Sequence, residues 1–359
     1  MTREFRKDIR GRGASSNVTN RYDSLKYEAT EEEFDNYIDA DEKPLLKTEV
    51  LKDSSRTIIT ENKSPDVGFR FSVNAYRGCE HGCAYCYARP THEYLGYSPG
   101  LDFESKIFVK EEAPKLLREA LMKKSWQPEV INMSGITDCY QPLERQKELT
   151  RGCLQVLLEF KNPVSMITKN ALILRDLDIF KEMAKYDGIL IFLSVTSLDA
   201  DLARTLEPRT SHPMARLKAI ETLAKEGIPV GVNVAPCIPG LTDHEMPMIL
   251  KAASEAGASF AGYVPLRLPS SVLPIFDEWL EVHRPLKKQK VLNSVRDIRG
   301  GKLNDPNFGS RMRGEGARAD QMAQMFALYT RKYNLNVKEF ELSAAHFQRP
   351  GDQLQFKLD

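Results

Sequence analysis

No apolar run in the 359 residues approaches the roughly 20 that a membrane-spanning helix needs. The first stretch, MTREFRKDIRGRGASSN, is polar and basic and contains no apolar segment. A secretory signal is therefore not expected at this end. Net charge is nearly absent: 51 Lys and Arg against 50 Asp and Glu leave +1. Nothing marks the whole chain as a binder of polyanions. Cysteine is scarce, and six in so long a chain make no disulfide framework. Without an export signal, a reducing cytoplasmic setting and no membrane partner are expected. In such a setting, thiols that cluster read as metal ligands.

What is present is enough apolar sequence for a sizeable core, with 42% hydrophobic and 28% charged residues. Residues 1–66 form a polar N-terminal extension, a basic arm followed by the acidic stretch EATEEEFDNYIDADEKP. The arm reads as a solvated or partner-bound tail. Residues 67–270 form the core. Residues 271–359 form a C-terminal helical extension that includes the Arg- and Gly-rich stretch RDIRGGKLNDPNFGSRMRGEGARAD. That stretch suits either a lid over the site or a second basic surface.

Within the core, short apolar runs alternate with helical patterns. FSVNAY, EVINMSG, PVSMITK, GILIFLSVT, PVGVNVAP and FAGYVPL are the expected strands. They are not alternating, as expected for a parallel sheet covered on both faces. Helices are expected from about Glu111, across RQKELTRGCLQVLLEF and LILRDLDIFKEMAKY, up to AIETLAKEG, and across DHEMPMILKAASEAG, VLPIFDEWLEVH and QMAQMFALYTRKY. Asn162, Gly188, Gly227 and Gly257 stand where helices should end. This makes about six βα units, where a full TIM barrel has about eight and a doubly wound sheet about five or six. The count fits an incomplete α/β barrel of (β/α)6 type or an open sheet. Either one puts its functional loops beyond the C-terminal strand ends.

The loop after the first of these strands reads RGCEHGCAYCYARP, with Cys79, Cys83 and Cys86 spaced C-x3-C-x2-C. A structural zinc site would need a fourth ligand, for which His81 or His92 stands near. An iron–sulfur cubane ordinarily takes four cysteines, so three would leave one iron open to a small molecule. The three-ligand count points to a reacting metal more than to a structural staple.

This spacing, with the aromatic Tyr85 before the third cysteine and a βα series behind it, resembles the radical S-adenosylmethionine (radical SAM) superfamily. The segments MSGITDCYQPLE, MITKN, IFLSVTS, TLEPRTS and VGVNVAPCIPG, falling in order at strand ends, resemble the branch around spore photoproduct lyase. The resemblance implies an incomplete TIM-type (β/α)6 barrel and a [4Fe-4S] cluster on Cys79, Cys83 and Cys86. It implies S-adenosyl-L-methionine (SAM) on the open iron, cleaved by one electron to a 5′-deoxyadenosyl radical that takes hydrogen from a substrate. It also implies an electron donor such as flavodoxin or ferredoxin.

The methionyl end of that cofactor is a zwitterion and needs a cation and hydroxyls on one side, acceptors on the other. By the resemblance, Lys169 meets the carboxylate and Ser194 helps hold it. Thr137 and Asp138 are the candidates for the amino group, and Tyr85 lies near the adenine. Arg209 is a further cofactor candidate, and Arg267 faces the same mouth. Cys153 reads as core and His244 as part of a helix start. In the related lyase a cysteine stands three residues before the acid of the SGITD-like stretch; here the position is Gly135. Cys139 and Cys237 are then the candidate hydrogen donors, with a small apolar filler as the alternative for each. The substrate is not specified by sequence. Nucleic acid is not favoured by the near-zero net charge, although the basic arm and SRMRGEGAR could contact phosphates. The competing reading is a zinc- or cluster-binding, nucleic-acid-associated protein without radical chemistry.

Overall fold

The computed structural model describes residues 9–22 and 46–351. The acidic stretch and the first eight residues of the basic arm lie outside the described residues. The described strands are β1 (Glu49–Lys52), β2 (Ile59–Glu61), β3 (Phe71–Val73), β4 (Tyr76–Arg77), β5 (Lys106–Val109), β6 (Ile131–Met133), β7 (Val164–Thr168), β8 (Ile189–Ser194), β9 (Val230–Cys237) and β10 (Phe260–Pro265). The main sheet has the order β10-β9-β8-β7-β6-β3-β2.

Six of its strands, β3 and β6 to β10, are parallel, and each lies beside its predecessor. A doubly wound sheet reverses its strand order at a switch point; this one never does. The six units are therefore wound in one direction, as in a barrel, and stop short of closure. β10 and β2 are the two edges and do not pair. The expected incomplete (β/α)6 barrel is what forms. Its strands are apolar because both faces are covered: Ile131, Met166, Ile189, Ile191, Leu193 and Val232 are all buried.

Helices Ala113–Met122, Leu177–Ala184, Pro213–Lys225 and Met246–Glu255 fall inside expected segments. The helix expected across 145–160 is broken into Glu144–Lys147 and Leu149–Glu159, with Glu148 at φ 50° between them. The break has a use: the Glu144 carboxylate accepts the Thr150 N–H at 3.1 Å and caps the second helix.

The N-terminal extension differs from expectation. Where it is described, it is docked, not solvated. β2 adds to the sheet antiparallel to β3, and β1 runs parallel to β5 in a second sheet of order β1-β5-β4. Residues 9–22 lie over the cysteine loop, with Arg12, Ala14 and Asn20 buried. Its polar composition is matched by buried partners: Glu104 accepts the N–H groups of Gly13 and Ala14 at 3.0 and 2.9 Å.

In the C-terminal extension, helix Ala317–Lys332 packs beside helix Met246–Glu255, with Phe326 4.7 Å from Tyr263 of β10. The Asn336 side chain bonds the Ala261 N–H and C=O at 2.8 and 3.0 Å, covering the β10 edge. The Arg- and Gly-rich stretch reaches back across the open side of the barrel. The Gly309 N–H and the Arg311 guanidinium both bond Asp66, in the loop between β2 and β3, and Arg311 also bonds Ser64 at 2.7 Å.

Candidate active site

The short β4 delivers the chain into the cysteine loop, which turns tightly. Gly82 N–H donates to Cys79 O at 3.3 Å, Cys86 N–H to Cys83 O at 3.2 Å, and Arg89 N–H to Cys86 O at 3.3 Å. Gly82 sits at φ +65°, which a side chain disfavours. The segment above is as close: a Cβ on Gly13 would stand 1.8 Å from Gly82 O, so only glycine fits there.

One side chain holds much of this turn. The guanidinium of Arg89, fully buried, donates to Cys83 O at 2.9 and 3.1 Å, to Pro99 O at 3.0 Å and to Gly100 O at 2.9 Å. It also pairs with the buried Glu104, which in turn holds Gly13 and Ala14. A second pair anchors the loop from the other flank. Arg209 meets Glu80 at 3.0 Å, and Thr48 donates to the same oxygen at 2.6 Å. Arg209 is thus placed on the loop's flank as the counter-ion of Glu80.

The three thiols lie within electrostatic reach of one another, and burial pushes each above the ordinary thiol range. A buried thiolate needs positive charge, and an iron–sulfur core would supply it. Among the described residues, no three His, Cys, Asp or Glu side chains gather as ligands of a single ion. A cubane does not require that, because each of its thiolates meets a different iron. The two histidines offered as a fourth ligand are engaged elsewhere. His81 lies 3.3 Å from Asp138 through Nδ1 and 3.3 Å from Asn170 through Nε2. His92 Nε2 bonds Lys106 O at 3.0 Å inside a ring of Phe103, Phe108 and Tyr97, and burial pushes its pKa down to about 4. The cysteine loop therefore fits the cluster and offers no complete zinc set.

Lys169, one residue past β7, brings its ammonium 5.8 Å from the Tyr85 ring and within electrostatic reach of Cys83 and Cys86. Among the described residues it makes no ion pair. Ser194 is the last residue of β8 and is buried; its carbonyl accepts from Arg216 at 2.9 Å. Thr137 is buried in the loop after β6, its hydroxyl donating to Tyr76 O at 3.2 Å, with its lone pairs still able to accept.

Asp138 is more heavily committed than its sequence position suggests. It accepts from Thr168 Oγ1 at 2.7 Å, Lys169 N at 2.8 Å and Tyr140 N at 2.9 Å, beside His81. Burial would raise its pKa, but His81 and these hydrogen bonds outweigh it and hold the carboxyl down at about 2. Tyr85 likewise gives its hydroxyl to Glu207, which also accepts from Thr196 at 2.7 Å and pairs with buried Arg216 at 2.6 Å. The stretch TLEPRTS thus acts through Glu207, which the spacing does not single out, as well as through Arg209. Arg89 and Glu104 also carry no spacing signal; the only hint is that Arg89 follows the last cysteine so closely.

Neither hydrogen-donor candidate stands open at the mouth. Cys139 and Cys237 are both buried in the main hydrophobic core, and Cys139 is fixed by Ser134 Oγ on its N–H and Thr150 Oγ1 on its carbonyl. Cys153 is in the same core, as expected. His244 lies in the short turn Asp243–Glu245, its N–H on Asp243 Oδ1 at 3.1 Å. Arg267 lies just after β10, with its guanidinium 5.9 Å from the Tyr87 ring.

Residues 73–253, beginning at the end of β3 and taking in the loop, Lys169 and Ser194, match the radical SAM superfamily. The chain belongs to that superfamily. It is 34% identical over 274 residues to an uncharacterised protein of Mycobacterium tuberculosis, spanning 75% of this chain and 78% of that one. It is 32% identical over 199 residues to an uncharacterised protein of Methanocaldococcus jannaschii, 55% of this chain and 71% of that one. Among solved structures it is similar to spore photoproduct lyase complexed with dinucleoside spore photoproduct, with a TM-score of 0.57, 16% identity and 79% of each chain covered. A double mutant of that lyase with bound AdoMet and dinucleoside spore photoproduct gives a TM-score of 0.53 at 15% identity, over 79% of this chain and 78% of that one. At these identities the likeness to the lyase is one of fold. Among the described residues, no helix is long and apolar enough to cross a membrane.

Proposed function

We propose that the chain holds a [4Fe-4S] cluster on Cys79, Cys83 and Cys86, binds S-adenosylmethionine at the open iron, and abstracts hydrogen from a substrate at the same mouth. The observation that carries this is the buried three-thiol loop beside an ammonium, that of Lys169, without an ion-pair partner among the described residues. Once bound, the cluster and S-adenosylmethionine would supply the 5′-deoxyadenosyl radical. The protein's part is placement and exclusion of water.

In this reading Lys169 takes the methionyl carboxylate, with the Ser194 hydroxyl beside it. Thr137 offers lone pairs to the ammonium. Asp138 positions both groups, because its carboxylate ties the β6 loop to Thr168 and Lys169 at the end of β7. Tyr85, pinned through its hydroxyl, presents its ring as a wall for the adenine. A flavodoxin or ferredoxin would deliver the electron. The test is anaerobic reconstitution followed by reduction with the cofactor. A cubane absorption spectrum, about four irons per chain and release of 5′-deoxyadenosine are expected. Full iron loading by a variant lacking all three thiols (Cys79→Ala, Cys83→Ala and Cys86→Ala together) would sink the assignment.

A further inference from the structure

Arg267 follows β10 at the open end of the barrel and is half-buried. Among the described residues its Nε, which is buried, has no hydrogen-bond partner, and its one polar contact is Met312 Sδ, 3.3 Å from Nη1. Thioether sulfur is a weak acceptor. Among the described residues no carboxylate forms an ion pair with it, whereas every other deeply set arginine of the site has one or is held by carbonyls. Arg89 has Glu104, Arg216 has Glu207, and Arg299 bonds Leu266 O at 2.8 Å and Ser310 O at 3.0 Å.

The charges around it do not supply the missing partner. Arg311 and Arg299 are both within electrostatic reach; Asp66 is taken by Arg311, and Asp305 and Glu315 are shared with Arg299. Burial and the neighbouring Arg311 lower the Arg267 pKa, as they do for a cation that lacks its counter-ion. Around it are apolar surfaces turned outward. Tyr87 is 52% exposed, with its hydroxyl held on Gly135 O at 3.0 Å, and Phe308 is 60% exposed under the Arg311 guanidinium at 4.4 Å. Tyr87 directly follows Cys86, so this place adjoins the proposed cluster.

We propose that Arg267, with Arg311 and the rings of Tyr87 and Phe308, binds a phosphate group carried by the substrate, whose planar or apolar part lies on those rings. A carboxylate has two oxygens in one plane and is satisfied by one arginine fork. Donors arriving from two elements, the segment after β10 and the turn at Gly309–Arg313, suit a tetrahedral oxyanion better. The proposal rests on the radical SAM reading, because it takes this mouth as the reaction site.

The experiment is calorimetric titration of the reconstituted holoenzyme with inorganic phosphate and, separately, with S-adenosylmethionine. Wild type should bind phosphate saturably and more weakly as salt rises. Arg267→Gln should lose about ten- to hundredfold in phosphate affinity, the size of a lost charge-assisted bond. Arg267→Lys keeps the charge and should lose less, which separates recognition from misfolding. Equal phosphate affinity in wild type and Arg267→Gln would overturn the site. So would a fall in S-adenosylmethionine affinity as large as the fall for phosphate, which would assign Arg267 to the cofactor. Loss of phosphate binding with the cluster spectrum intact, together with cofactor-dependent 5′-deoxyadenosine release by wild type, supports the proposal. Failure of wild type to bind phosphate while that release persists would reject this proposal and leave the radical reading standing. A mononucleotide and a short single-stranded oligonucleotide distinguish the source. Matching affinities point to a small phosphate ester, and tighter, strongly salt-dependent binding of the oligonucleotide points to a nucleic-acid backbone.

Discussion

Single side chains divide into those that meet a ligand and those that hold the loop, and the two kinds fail differently. Lys169→Ala removes a cation that makes no ion pair among the described residues, and Glu207, the buried carboxylate within its reach, keeps Arg216, so folding should be little affected. Cofactor affinity should drop by about 1.5–3 kcal/mol, or ten- to hundredfold, and an unchanged titration would take Lys169 out of the site. Arg89→Ala leaves Glu104 buried without its counter-ion and frees the carbonyls around Cys83. Breaking such a pair costs about 3–5 kcal/mol, so denaturant midpoints should fall and iron loading should fall with them. Gly135 bears on what the substrate is not. A Cβ there would meet Ser72 Cβ at 3.1 Å and Oγ at 3.3 Å, and the thiols of Cys139 and Cys237 are shut in the core. With no thiol placed to return hydrogen, the enzyme should not convert the spore thymine dimer to two thymines. Chromatography of a reduced reaction mixture tests this, and multiple turnovers abolished by Cys139→Ala would refute it.

Among elements, the segment of residues 9–22 makes the sharpest prediction. Gly13 has its backbone against Gly82 O, so Gly13→Val must lift the segment from the cysteine loop. The reconstituted cluster should then bleach faster in air than wild type, followed by its visible absorption. This docking could not be read from the sequence, because its partners are single buried groups such as Glu104, 90 residues away, and not an apolar stripe. β1 and β2 were illegible for a related reason: EVLK and ITE are short, polar edge pieces whose pairing is decided by what lies beside them. The six parallel strands were legible because burial on both faces forces continuous apolar runs. The cysteine loop was legible because ligand spacing is local. Arg89, Glu104 and Glu207 were not, since buried ion pairs join distant stretches without any periodicity. The break at Glu148 was hidden inside an otherwise helical pattern, as its reason is a side chain capping the next helix.

At the scale of the whole molecule, acid should destabilise the fold in two stages. His92 is neutral in the fold, with its pKa pushed down to about 4 from an ordinary 6.5. Between those values the unfolded chain binds a proton that the folded chain refuses. Stability is therefore full above pH 6.5 and falls as pH drops toward 4, by about 3 kcal/mol at most. Asp138, held near 2, adds a second loss as pH falls from the ordinary carboxyl range toward 2. Urea midpoints of wild type and His92→Phe at pH 7 and 5 test the first stage, and an equal slope in both would refute it. The barrel itself is joined along five parallel strand pairs but not along a sixth. Between its two edges stand the bonds of Gly309 and Arg311 to Asp66 and Ser64. Parting strands would cost a whole ladder of backbone bonds, whereas releasing this contact costs a handful, each about 1 kcal/mol net and somewhat more for the charged pair. The wall of the barrel thus has one side fastened like a clasp, by a few side-chain bonds where every other seam is a ladder of backbone bonds.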